Sequence, residues 1–215
     1  SMTMHARTGI KICGLTEAAG FDACVEHGVD WIGFVFFRNS PRFVTPQQAE
    51  ELVARGLGNA KSVGLFVHPE DQDITQVLET VQLDVLQIYA SEERAKQVAQ
   101  KFGRPVWLSC PVSKAADLPL SCPVQRILIE PRPPKEATRP GGNAQKLDWS
   151  MLTNWKPAFS WMLAGGLRVD NVANAIRKTH APAVDVSSGV ECAPGLKDPT
   201  LIADFVRNVR QECEV

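Results

Sequence analysis

The segments Trp161-Met-Leu-Ala-Gly-Gly-Leu167 and Ala183-Val-Asp-Val-Ser-Ser-Gly-Val-Glu191 decide how this chain is read. Each is an apolar run that stops at small residues and leads into a helical pattern. Backbone N–H groups are therefore left facing outward, where a phosphate fits. A short β-branched run that closes on glycine before a helix is the pattern of a parallel strand. Working outward from these two, comparable runs recur at 9–13, 31–36, 62–67, 84–88, 106–110 and 124–130; with 160–164 and 183–187 they make eight.

Amphipathic stretches fill the gaps. Ala49, Leu52 and Val53 form one apolar stripe, and Ile74, Val77, Leu78 and Val81 form the next, at the i, i+3, i+4 spacing of a helix face. Thr45-Pro46 and Asp198-Pro199 place a capping side chain just before a proline at the first helical position. Ile202, Phe205, Val206 and Val209 form the inward stripe of the last helix. The fifth unit is the weakest, because 113–118 is short and Pro119 ends it. Eight strands each followed by a helix predict an α/β fold, a (β/α)8 TIM barrel with its active site at the C-terminal ends of the strands. A doubly wound open sheet is the runner-up, but Ile12-Cys-Gly-Leu-Thr16 lacks the glycine fingerprint that fold places after its first strand.

Composition narrows the function. The 215 residues are 44% hydrophobic and 22% charged, with a formal net charge of −1, so no electrostatic bias toward nucleic acid or a membrane surface exists. The longest apolar stretch, 31–37, is too short to span a bilayer, and a cytoplasmic protein is expected. A single domain over 1–215 is expected, with 1–8 as an N-terminal tail, in a monomer or a homodimer. Six cysteines without a C-x-x-C pair and four dispersed histidines indicate neither a zinc site nor a disulfide framework.

In a barrel, the strand ends bring Cys13, Arg42, Tyr89, Glu130 and Asp185 to one mouth. A potential thiolate base, a carboxyl acid and a guanidinium suited to a carboxylate are among them. No metal or nucleotide signature accompanies them, so proton transfer without a cofactor is the simplest chemistry.

Taken in order, Lys11-Ile-Cys-Gly-Leu-Thr16, Gly33-Phe-Val-Phe-Phe37 with Ser40-Pro-Arg42, Val63-Gly-Leu-Phe-Val67, Leu147-Asp-Trp149, Ala164-Gly-Gly-Leu167 and 184–191 resemble the phosphoribosylanthranilate isomerase family. The resemblance implies a (β/α)8 barrel of tryptophan biosynthesis acting on a small phosphoribosyl substrate. The reaction is the Amadori rearrangement of N-(5′-phosphoribosyl)anthranilate to 1-(2-carboxyphenylamino)-1-deoxyribulose 5-phosphate. It implies Cys13 as general base and Glu130, at the end of strand six, as general acid. Arg42 would bind the anthranilate carboxylate. Asp185 would lie near the anthranilate amine or serve as a structural acceptor. Gly165, Gly166, Ser188 and Gly189 would cradle the phosphate, with Gly141 and Gly142 contributing from the loop after strand six.

This chain departs from the family pattern at three places. Glu130 stands where an aspartate is usual, one methylene longer. Gln87-Ile-Tyr-Ala90 replaces Gln-Leu-His-Gly, and Tyr89 is expected to pack simply, against the anthranilate ring or as a cap on the barrel. In the loop after strand six, Ala144 and Gln145 replace a glycine and a lysine, and the proline-rich 131–140 makes either a lid over the mouth or a surface insertion. Two other readings fit the sequence less well. One is a degenerate barrel that binds phosphoribosyl ligands without turnover; the other is the histidine-pathway phosphoribosyl isomerase, which uses an aspartate where this chain has Cys13.

Overall fold

Alternation along each strand separates two apolar faces, and this decides where everything else goes. Residues 7–143 and 145–213 are described by the computed structural model; Ala144 lies outside them, as do residues 1–6 of the tail. The strands are β1 (Gly9–Cys13), β2 (Trp31–Val35), β3 (Lys61–Val67), β4 (Val85–Tyr89), β5 (Val106–Val112), β6 (Arg126–Pro131), β7 (Trp161–Leu163) and β8 (Ala183–Val186). All pair in parallel with their sequence neighbours, and β8 closes on β1, giving a (β/α)8 barrel.

One face of each strand supplies the layer under the helices, with Ile10, Ile12, Ile32, Phe34, Phe66, Leu86, Ile88, Leu108, Ile127, Ile129, Leu163 and Val184. The other face fills the barrel with Val63, Val85, Trp107, Leu128, Met162, Ala164 and Ala183. At the N-terminal end Gly9 leaves room for Trp31: a Cβ there would lie 2.5 Å from the indole. Trp31 meets Trp107 edge to face at 5.1 Å, and the Arg126 guanidinium lies 4.6 and 4.9 Å from the two rings. This plug makes the barrel interior a packed core, with the mouth that can carry a site at the strands' C-terminal ends.

The helices are α1 (Ala18–Glu26), α2 (Pro46–Val53), α3 (Asp71–Leu78), α4 (Glu92–Phe102), α5 (Val172–Thr179) and α6 (Pro199–Cys213). Thr45 caps α2 in a reciprocal box with Gln48, and Asp198 Oδ1 accepts from the Thr200 amide at 2.8 Å to start α6. The buried residues of α2, α3 and α6 follow the stripes read from the sequence.

The expectation of a helix after every strand is corrected at two units. After β5 there is one 3-10 turn, Ala115–Asp117, and after β6 another, Trp149–Leu152. Pro119 and Pro157 stop both before a helical hydrogen-bond ladder can propagate. A short hairpin of β9 (Glu191–Ala193) and β10 (Leu196–Lys197), unanticipated in the sequence, joins β8 to α6. No helix of the described residues is long and apolar enough to cross a membrane.

Candidate active site

At the C-terminal mouth a cavity is lined from β1, β4, β6 and β8 by Cys13, Tyr89, Glu130 and Asp185. Arg42, Gly141, Gly142, Gly165, Gly166 and Ser188 line it from the loops. Of the residues expected at the site, only Gly189 does not face it. That glycine packs behind the wall, where a Cβ would fall 1.9 Å from the Leu167 carbonyl oxygen.

Cys13 is buried opposite Gly33 of β2, its register partner. The absence of a side chain at Gly33 makes room for the Cys13 thiol and the end of the Lys11 side chain, each 3.1 Å from where a Cβ would be. Lys11 lies two residues before Cys13, so both point into the barrel. Its ammonium, fully buried, donates to Asp185 Oδ1 at 3.1 Å, its register partner on β8. Burial disfavours that charge, but Asp185 and Cys13 hold the Lys11 ammonium above its ordinary value. Burial pushes the Cys13 thiol up, against the opposing pull of Lys11 and Lys197. Asp185 is therefore a partner of the lysine beside the thiol.

Glu130, next to last in β6, is 6% exposed. Tyr89 donates its hydroxyl to Glu130 Oε2 at 2.9 Å, while Oε1 has no hydrogen-bond partner among the described residues. Burial raises the Glu130 carboxyl to about 8, the tyrosine bond only partly opposing it, so the group carries a proton at neutral pH. Tyr89 does more than the simple packing expected of it. Its hydroxyl fixes one carboxyl oxygen and leaves the other buried without a partner among the described residues.

Arg42 is buried with its fork closed on Glu191: Nε donates to Oε2 at 3.0 Å and Nη2 to Oε1 at 2.7 Å. Lys197 donates to the same carboxylate at 2.9 Å and to the Ser187 carbonyl at 3.0 Å. Burial works against ionisation of Glu191, but Arg42 and Lys197 overcome it and hold the carboxyl below its ordinary value. The expected guanidinium is thus in the cavity wall, with only its Nη1 edge left for a ligand.

The loops after β7 and β8 carry the anion-binding features. Gly165 has φ +97°, and a Cβ there would strike Pro131 at 2.2 Å, so a side chain is excluded by both conformation and space. Among the described residues the amides of Gly165, Gly166, Ser188 and Gly189 donate to no carbonyl outside regular structure. The 132–146 loop lies over the mouth rather than apart from it: a Cβ on Gly141 would be 2.3 Å from the Tyr89 hydroxyl and 3.6 Å from Glu130 Oε2. The replacement at Ala144 falls outside the described residues.

Lys11, Glu191, Lys197 and Arg139 were not among the residues expected at the site. Lys11 was detectable, since alternation from Cys13 places it on the same face. Nothing local connects Glu191 or Lys197 to Arg42.

The family model described as N-(5′-phosphoribosyl)anthranilate (PRA) isomerase matches residues 10–208. An N-(5′-phosphoribosyl)anthranilate isomerase of Paramagnetospirillum magneticum is 47% identical over 207 residues, covering 94% of this chain and 96% of that protein. Among solved structures, TrpF from Jonesia denitrificans is 34% identical with a TM-score of 0.81, over 94% of this chain and 97% of that one. A phosphoribosyl anthranilate isomerase in complex with reduced 1-(o-carboxyphenylamino)-1-deoxyribulose 5-phosphate is 30% identical with a TM-score of 0.80, over 95% and 99%.

Proposed function

The chain belongs to the N-(5′-phosphoribosyl)anthranilate isomerase family of tryptophan biosynthesis, and from that premise we propose that Cys13 and Glu130 carry its isomerisation as general base and general acid. One observation carries the reading. A carboxyl that burial keeps protonated at neutral pH faces the same cavity as a buried thiol flanked by ammonium groups, beside glycine loops with outward amides.

The steps follow from those groups. Glu130 gives its proton to the ribose ring oxygen as the C1′–O bond breaks, and the anthranilate nitrogen supplies the pair that forms C1′=N. The Cys13 thiolate removes the C2′ proton, and the released electron pair moves into a C1′=C2′ bond, neutralising the nitrogen and leaving an enolamine. Tautomerisation, with a proton added at C1′ and the 2′-hydroxyl proton lost, gives the ketone. Lys11 stabilises the thiolate while it exists, and Asp185 keeps Lys11 in place and charged. Gly165, Gly166 and Ser188 offer amides to the 5′-phosphate, with Gly189 packed behind them and Gly141 and Gly142 closing over the reacting centre. Arg42 faces the aryl end. The substrate is a phosphoribosyl aryl amine, as the reduced product analogue bound in the related crystal structure supports.

The test is turnover: purified protein mixed with freshly made N-(5′-phosphoribosyl)anthranilate, following the loss of anthranilate fluorescence. Steady conversion to the carboxyphenylamino deoxyribulose phosphate is expected. Ligand-induced thermal stabilisation without conversion would contradict the proposal.

A further inference from the structure

Arg139 sits in the 132–146 loop, a segment for which the sequence suggested only a lid or an insertion, yet it lines the cavity. Its Nη2 donates to the Gly142 carbonyl at 2.8 Å, and its Nε is buried without a partner among the described residues. Arg42 approaches the same carbonyl from the other side, its Nη1 at 3.4 Å. A methyl group built on Gly142 would lie 3.0 Å from Arg42 Nη1 and 3.5 Å from Arg139 Nε, so the two guanidinia converge on one spot. Arg42 and Lys197 already share Glu191, the carboxylate beside them, and burial together with the neighbouring Arg42 charge works against the Arg139 guanidinium. Three cations facing one carboxylate leave a place that a further anion stabilises.

We propose that Arg139 is a substrate-binding residue which, with the Nη1 edge of Arg42, grips the aryl carboxylate and sets the preference for a carboxylated aromatic amine. This rests on the isomerase reading above. The substrate has two anionic ends, and the loops after β7 and β8 take the phosphate. Arg42, held by Glu191 through Nε and Nη2, presents a single edge and cannot embrace a carboxylate with its fork. The buried, unpartnered Nε of Arg139 supplies the second donor that two carboxylate oxygens require.

Arg139→Gln tests this on two substrates, N-(5′-phosphoribosyl)anthranilate and the same compound made from aniline, which lacks the carboxylate. For the anthranilate substrate KM should rise about 10- to 100-fold with kcat within about threefold. For the aniline substrate kcat/KM should stay unchanged, so the wild-type preference collapses. Calorimetric affinity for the reduced product analogue should weaken by the same factor, with the thermal midpoint unmoved. An equal loss on both substrates, or no loss on either, overturns the role of Arg139 while the isomerase reading stands. A wild-type protein silent on both substrates overturns that reading and the inference together.

Discussion

Removing one hydroxyl at Tyr89 should move the titration of Glu130 in a known direction. In Tyr89→Phe the 2.9 Å bond to Oε2 is lost, with the ring retained in a buried position. A hydrogen bond to a charged acceptor contributes about 1.5–3 kcal/mol and one to a neutral acceptor about 0.5–1.5 kcal/mol, so the tyrosine favours the ionised carboxyl by roughly 1–1.5 kcal/mol. At about 1.4 kcal/mol per pH unit, its loss raises the Glu130 midpoint by about one unit above the value of about 8. Glu130 is already mostly protonated at pH 7 in the wild type. Any fall in turnover there therefore reports the lost anchoring of the carboxyl rather than a change of protonation. The assay is direct titration of the free enzyme by isotope-edited infrared or carbon NMR of labelled glutamate, with Glu130→Gln identifying the signal. A midpoint that stays put or moves down in Tyr89→Phe would refute the reasoning.

Other consequences concern stability. The folded Glu130 carboxyl is raised from 4.5 to about 8, so the folded state keeps a proton that the unfolded state loses; that advantage is complete below pH 4.5 and disappears as pH rises to about 8. Glu130→Gln, which has nothing to titrate, should gain roughly 3 kcal/mol over the wild type between pH 4 and pH 7 in urea melts, while losing activity. Gly165→Ala should cost about 1–3 kcal/mol, from its φ of +97° and the contact with Pro131, and should raise KM for the phosphorylated substrate in steady-state assays. Glu191→Gln, which leaves Arg42 and Lys197 buried without their carboxylate, should destabilise by about 3–5 kcal/mol in chemical denaturation.

The barrel was legible because its causes are local. Each strand is buried on both faces and therefore shows as an apolar run, and the caps at Thr45 and Asp198 rest on residues within three positions. Cys13, Glu130 and the glycine turns were legible for a related reason: a parallel barrel delivers every strand end to the same mouth. What escaped the sequence depends on distance or on weak periodicity. Arg42 and Glu191 are 149 residues apart, and no pattern in either segment announces that one closes the fork of the other. Tyr89 and Glu130 meet across β5, so the hydroxyl looked like packing until the barrel closed. The two missing helices are stretches where proline interrupts an already faint stripe. Arg139 lies in a loop whose composition says only that it is irregular.

The central claim is that the Cys13 thiolate removes the C2′ proton. Its most direct test is Cys13→Ala in a single-turnover fluorescence assay with N-(5′-phosphoribosyl)anthranilate at saturating enzyme, with binding of the reduced product analogue measured in parallel. The account predicts that binding is retained while conversion falls at least about a thousandfold, the scale of a lost catalytic proton acceptor. Conversion by Cys13→Ala at the wild-type rate would contradict it.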